Sequence, residues 1–339
     1  VAAGADTNLG NVARALRGAV AGVWSGLVML AASAGGGAAA APFAYITNQG
    51  SHDVSVIDLQ PSPRVVATIA VGRSPAGVVA SSRAGRAFVA NPDSGDISVI
   101  DIATQRLIAT WPSAAGAVGI DASADGQRLY VADWYGQRLQ AFDAASGQPL
   151  VQAAVGRAPA GIAAAGEVVF VAERDDDSVA VLDARTLALR GRVQVGAHPF
   201  ALLFDGARQR LYALNVQSND VSVLDVAEPA APKLLATVAV GKAPYGAALA
   251  HGGRLLYVTN QHDDSVSVID ADSLQPLRLL RGFAYPEGIA AHGDRVYVVN
   301  WMDDNVAVLD AASGAQLTSV ATGRNSRGFG AFIAAPSTP

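Results

Sequence analysis

Short apolar runs alternate with polar clusters along most of this chain, and the alternation is periodic. Residues 255–270, LLYVTNQHDDSVSVID, show the unit: an apolar strand ending at Asn260, a polar turn over Gln261–Ser265, and a second strand, Val266–Asp270. The first strand ends in a polar residue at Asn48, Asn91, Asp133, Glu173, Asn215, Asn260 and Asn300. The second ends in aspartate at Asp58, Asp101, Asp143, Asp183, Asp225, Asp270 and Asp310. Six intervals over the 252 residues from Asp58 to Asp310 give a mean period of 42. A unit of that length has room for four short strands, the content of one propeller blade.

The other two strands are visible in each copy. After the second strand comes a turn and a further strand such as Leu234–Val240, then a loop of form Val-Gly-x-x-Pro and a small-residue strand such as Gly246–Ala250. The loop stands at Val71–Pro75, Val155–Pro159, Val195–Pro199 and Val240–Pro244, and in degraded form at Trp111–Gly119, Arg281–Gly288 and Thr322–Gly328. Small residues at Gly77, Gly119, Gly161, Ala201, Gly246, Gly288 and Gly328 suit an innermost strand, where blades converge and bulky side chains would collide. The middle strands are apolar without alternation, as expected when both faces pack against neighbours, whereas the Val-Ser-Val-Ile-Asp strands alternate more clearly. Phe43–Val71 supplies only three strands, and the missing one stands at the far end, Arg327–Ala334. The reading is an all-β, seven-bladed β-propeller of four-stranded antiparallel blades over residues 42–336. Its ring closes when the C-terminal strand pairs with the N-terminal three.

Tyr257-Val-Thr-Asn260, with near copies at Tyr45–Asn48 and Tyr297–Asn300, resembles the repeat of the YVTN family of seven-bladed β-propellers. The resemblance covers about residues 43–334. It implies the fold, but relatives of this shape include binding proteins, surface-layer proteins and non-cofactor subunits of periplasmic redox enzymes.

The first 41 residues lie outside the repeat. Arg14 and Arg17 precede an uncharged run, Gly18–Ala34, and a Gly/Ala tract with Ala-x-Ala options near Ala38–Ala41. That is the tripartite form of a secretory signal peptide, so residues 1–41 are expected to be cleaved and the protein to be periplasmic or secreted. The run has 17 residues, short of the ~20 a spanning helix needs, so membrane contact is expected only in transit. Cysteine is absent, which excludes disulfides, haem-attachment motifs, iron–sulfur clusters, thiolate zinc sites and a lipid-modified N-terminus. A net charge of −5, slightly more acidic without Arg14, Arg17 and Asp6, argues against general nucleic-acid binding.

In a blade that starts at the axis, the Val-Gly-x-x-Pro loops and the second-to-third-strand turns open on one face. That face gathers Arg73, Arg157, His198, Lys242, Arg324 and Arg327, with Glu287 as the lone acid near the axis. The outer turns are acidic, and their carboxylates read as solvated. Trp134 and Trp301 stand in turns that are polar in other copies, and Phe200, Tyr245, Phe283 and Tyr285 stand in or beside the axial loops. Exposed Trp and Tyr amid arginine is the composition of an interface core. The candidate site is therefore Arg73, Arg157, His198, Lys242, Glu287, Arg324, Arg327, Trp134, Tyr245 and Trp301, binding a protein partner or a small anionic ligand.

Catalytic signals are missing. Gly-x-Ser-x-Gly, Walker, Gly-x-Gly-x-x-Gly and His-Glu-x-x-His patterns do not occur, so no cofactor, metal or catalytic residue is assigned. Asp175-Asp176-Asp177 lacks the glycine and glutamate of a calcium loop. The alternative is an enzyme role: a hydrolase with a channel cation held by Glu287 and neighbours, or the non-cofactor subunit of a periplasmic quinone or haem dehydrogenase.

Overall fold

A computed structural model describes residues 42–335. The expected signal peptide, residues 1–41, lies outside the described residues. Seven antiparallel sheets account for the repeat. Six blades follow one chain direction, inner strand first, as in Pro244–Ala250, Leu255–Asn260, Ser265–Asp270 and Pro276–Arg281. Blades are numbered here by copy, so that one is blade 6. Blade 1 holds Phe43–Asn48, Asp53–Asp58 and Arg64–Ala70 and receives its inner strand from the C-terminal tail.

Each letter of Tyr-Val-Thr-Asn has a physical task. The aromatic position is Tyr45, Phe88, Tyr130, Phe170, Tyr212, Tyr257 and Tyr297, and all seven side chains are buried between blades. Burying each contributes roughly 1.5–3 kcal/mol. Some also tie blades together: the Tyr257 hydroxyl donates to the Ala311 carbonyl at 3.0 Å and Tyr130 to that of Ala184 at 2.8 Å. The threonine hydroxyl crosses to the next blade's inner strand, Thr259 to the Glu287 carbonyl at 2.8 Å and Thr47 to that of Ala76 at 3.0 Å. The asparagine amide donates to the second-strand serine, Asn48 to Ser55 Oγ at 2.9 Å and Asn260 to Ser267 Oγ at 3.0 Å.

Those serines show where the alternation of the second strands leads. The polar positions of the Val-Ser-Val-Ile-Asp strands do not face water: Ser55, Ser98, Ser222 and Ser267 are buried. Three of them accept the N–H of the loop glycine, Gly323 on Ser55, Gly72 on Ser98 and Gly196 on Ser222. In blade 4, where Glu173 replaces the asparagine, its longer carboxylate reaches Gly156 N directly at 2.7 Å and Arg192 neutralises it at 2.9 Å. The terminal aspartates hold their own turns, for example Asp143 accepting from Ser146 N at 2.7 Å and Asp310 from Ser313 N at 2.7 Å.

Inner strands abut so closely that a side chain has no room. A Cβ on Gly119 would lie 1.8 Å from the Ala160 carbonyl oxygen of the next blade, and one on Gly288 would lie 2.3 Å from that of Gly328. Glycine here is a matter of space between blades.

Ring closure occurs, with a detour. The tail pairs with Phe43–Asn48 only through Ser326–Arg327 and Ile333–Ala334, not as the continuous Arg327–Ala334 strand expected. Between those pairings it leans onto blade 2: Val78 N donates to the Phe329 carbonyl at 2.9 Å and Ala80 N to that of Ala331 at 2.8 Å. Tyr45 N of blade 1 meanwhile donates to the Phe332 carbonyl at 2.9 Å. Seven bonded residues therefore latch two blades at once. Deleting residues 327–339 is expected to abolish the cooperative thermal transition; circular dichroism melting with an unchanged midpoint would contradict closure.

Candidate functional site

The Val-Gly-x-x-Pro loops and the second-to-third-strand turns do share one face, because each loop is clasped by the turns on both sides of it. Lys242 N donates to Asp263 Oδ2 of blade 6 at 3.0 Å, while Ala243 N donates to Asn219 Oδ1 of blade 5 at 2.9 Å. Arg324 N reaches Ser51 Oγ of blade 1 at 3.1 Å and Asn325 N reaches Asp304 Oδ1 of blade 7 at 2.6 Å. His198 N donates to Asp177 Oδ1 at 2.8 Å, and Tyr285 N to Asp264 Oδ1 at 2.9 Å. To aim these N–H groups, Ser74, Ala158, His198, Ala243, Tyr285 and Asn325 take left-handed backbone conformations, with φ between 48° and 56°. The acidic turns are thus fasteners for the loops rather than merely solvated carboxylates.

The basic side chains divide into two groups. Arg73, Arg157, Lys242 and Arg324 are exposed. Arg73 Nη2 rests on the Asp93 carbonyl at 2.8 Å, Arg324 Nη2 on that of Gly50 at 2.9 Å, and Arg157 Nε on Asp176 Oδ1 at 2.6 Å. Each therefore lies over the adjoining turn. Arg327 instead turns inward: its Nη2 donates to Glu287 Oε1 at 3.1 Å, and its Nε sits 2.9 Å from Oε2, poorly aligned for a hydrogen bond. Gln261 Nε2 also donates to Glu287 Oε1 at 3.0 Å. Glu287 is wholly buried, and burial pushes its carboxyl up to about 7 against the pull of Arg327 and Gln261. Glu287 was expected to face a ligand or a channel cation; its oxygens instead lie against the Arg327 guanidinium at one end of the axial cavity.

The aromatics are likewise less exposed than their loop positions suggest. Phe200 stacks on Tyr245 with ring centroids 4.5 Å apart, Phe329 from the tail lies 4.8 Å from Phe200, and Trp134 lies 6.1 Å away. Tyr245, Phe200 and Phe329 are buried, at 7–9% exposure, so these rings stop the axial channel at the loop face. Trp134 is half-buried beneath the Arg174 guanidinium, 5.6 Å from the ring centroid. Trp301 is half-buried beside Tyr285, at 5.5 Å, and Tyr285 in turn meets His262. What this face does present is Tyr135, 77% exposed, and Met302, 61% exposed, each next to one of the tryptophans.

Beyond the plug, a cavity of about 460 Å³ runs along the axis toward the opposite face. Its walls are inner strands of small and aliphatic residues, and Glu287 and Tyr245 lie at the plugged end. The remaining ionisable group in its wall is Asp121, whose Oδ2 accepts Ala164 N at 2.8 Å and Oδ1 accepts Ala122 N at 2.8 Å. Burial raises the Asp121 carboxyl to about 6, the two backbone donors offsetting part of the rise. No group of three or more His, Cys, Asp and Glu that could hold a metal occurs among the described residues.

Fold and site together define a seven-bladed propeller stoppered by aromatic rings at its loop face. Residues 37–168 match the family model described as a YNCE-like beta-propeller, and match and fold together are consistent with a YVTN-type propeller family. Comparison with curated proteins gives no significant match. Among solved structures, a protein of unknown function from Desulfotomaculum acetoxidans superimposes with a TM-score of 0.72 at 16% identity, over 86% of this chain and 98% of that one. Hydrazine synthase from Kuenenia stuttgartiensis gives 0.70 at 17% identity, over 79% and 92%. Dihydro-heme d1 dehydrogenase NirN in complex with DHE gives 0.61 at 16%, covering 82% of this chain and 63% of that one. At such identities the likeness is one of fold.

Stability measurements on the buried Glu287 and the part-buried Asp121 test these assignments. Replacing Glu287 alone by alanine strands the Arg327 guanidinium and is expected to cost about 3–5 kcal/mol, whereas Glu287→Leu with Arg327→Met costs much less. Chemical denaturation of the single and double variants measures the difference. For Asp121 the folded-state value lies above the unfolded one, so its contribution to stability is complete below about pH 4 and is lost as pH rises through about 6. Asp121→Asn should flatten that limb by up to about 3 kcal/mol, read from denaturation midpoints across the range.

Proposed function

We propose that the protein is a secreted, periplasmic binding scaffold whose loop face docks a protein partner bearing carboxylate groups. One observation carries this reading: Tyr135 and Met302 stand exposed on the face that also carries the exposed cations of Arg73, Arg157, Lys242 and Arg324. Large amphipathic side chains beside arginine supply contact area and charge complementarity at modest entropic cost. The closed channel mouth favours recognition across a surface over entry of a small anion. Arg73 and Arg324 each spend one guanidinium nitrogen on a carbonyl and keep other donors for a carboxylate. Periplasmic placement rests on the tripartite character of residues 1–41.

The test is capture from periplasmic extract by the immobilised chain. Arg73, Arg157 and Arg324→Ser together, or Tyr135→Ala, should lower recovery of the captured protein about tenfold, and high salt should act mainly on the arginines. Equal recovery with all variants would remove the proposal. A mature protein whose N-terminus lies upstream of Ala38 would remove the cleaved leader on which the periplasmic placement rests.

A further inference from the structure

The axial cavity and the loop face are separate places. Phe200, Tyr245 and Phe329 lie between them, so a molecule in the cavity enters from the opposite face. The lining there is mostly apolar, and Leu203, Phe204 and Leu249 are only part-buried. Within this wall Asp121 is electrostatically uncompensated: among the described residues no ion pair includes it. Its two backbone bonds leave each carboxylate oxygen with acceptor capacity. The second acid of the lining, Glu287, is neutralised by Arg327 and gives no such opportunity.

We propose that this cavity is a binding site for a small apolar molecule bearing a primary amine, the ammonium group meeting Asp121 and the apolar body lying against the inner strands. About 460 Å³ falls in the range of small-ligand pockets and suits a single-ring body better than a large macrocycle. An apolar wall around one unmatched carboxylate selects for a cation joined to a hydrophobic group: the wall rejects a hydrated metal ion, and the carboxylate repels an anion. The cavity reading stands independently of any partner on the loop face.

Isothermal titration calorimetry of the full chain with 2-phenylethylamine, and with its uncharged counterpart 2-phenylethanol, tests the assignment. One amine is expected to bind per chain, with the alcohol at least about tenfold weaker. Asp121→Asn should bring the amine to the level of the alcohol and leave the alcohol unchanged. Ala247→Phe, which fills the cavity, should abolish both. If the amine fails to bind, matches the alcohol, or keeps its affinity in Asp121→Asn, the site is not there. Should that variant not fold, the amine–alcohol comparison on the native chain decides.

Discussion

The structure depends on how the last seven bonded residues pass between the first and second blades. A propeller whose repeat begins on its second strand has an open seam, and an open seam leaves two sheet edges with unsatisfied backbone groups. Here Ser326–Arg327 and Ile333–Ala334 pair with blade 1, while the carbonyls of Phe329 and Ala331 serve blade 2. Because the tail must leave one ladder to reach the other, its middle swings toward the axis. That excursion places Phe329 against Phe200 and Tyr245, while Arg327, still in the ladder, reaches Glu287. One closure event therefore builds the seam, stoppers the channel and matches a buried acid.

The same economy governs the loop face. Loops between blades carry many backbone N–H groups, and a compact ring leaves little water to satisfy them. Side chains from the turns of both adjacent blades take that part: Asp263 and Asn219 for one loop, Ser51 and Asp304 for another. The acidity of the turns is thereby explained without a metal or a catalytic set. It also explains why Arg73, Arg157 and Arg324 lie outward over those turns instead of converging on the axis.

Much of the scaffold was legible in the sequence, for a physical reason. Positions such as the aspartates from Asp58 to Asp310 and the glycines Gly119 and Gly288 answer to constraints that recur once per blade, so they appear as a period. The residues that shape the channel answer to contacts made once. Phe329 meets Phe200 and Tyr245 across the axis, from separate blades, and no spacing along the chain announces it. Glu287 stood out in sequence as a lone acid among cations, but a linear reading could not say that Arg327 turns inward to cover it. The buried serines mislead in the opposite sense. Alternation ordinarily marks a solvated face, yet here the polar partner is the glycine of the loop that leads into the serine's own blade.

The two mouths of the ring consequently differ in kind. At the loop face, charges are numerous but mostly held by neighbouring carbonyls and carboxylates in high-dielectric surroundings, where each is worth little singly and the group acts on encounter and orientation. At the other, one carboxylate stands in an apolar wall, where a single charge has long reach because little water screens it. A surface of the first kind suits a large partner that engages many weak contacts at once. A cavity of the second kind suits a small molecule that supplies one matching charge and fills the remaining volume. The two are separated within one chain, since Phe329, Phe200 and Tyr245 lie between the cavity and the loop face, and Arg73, Arg157 and Arg324 are held outward on their own turns.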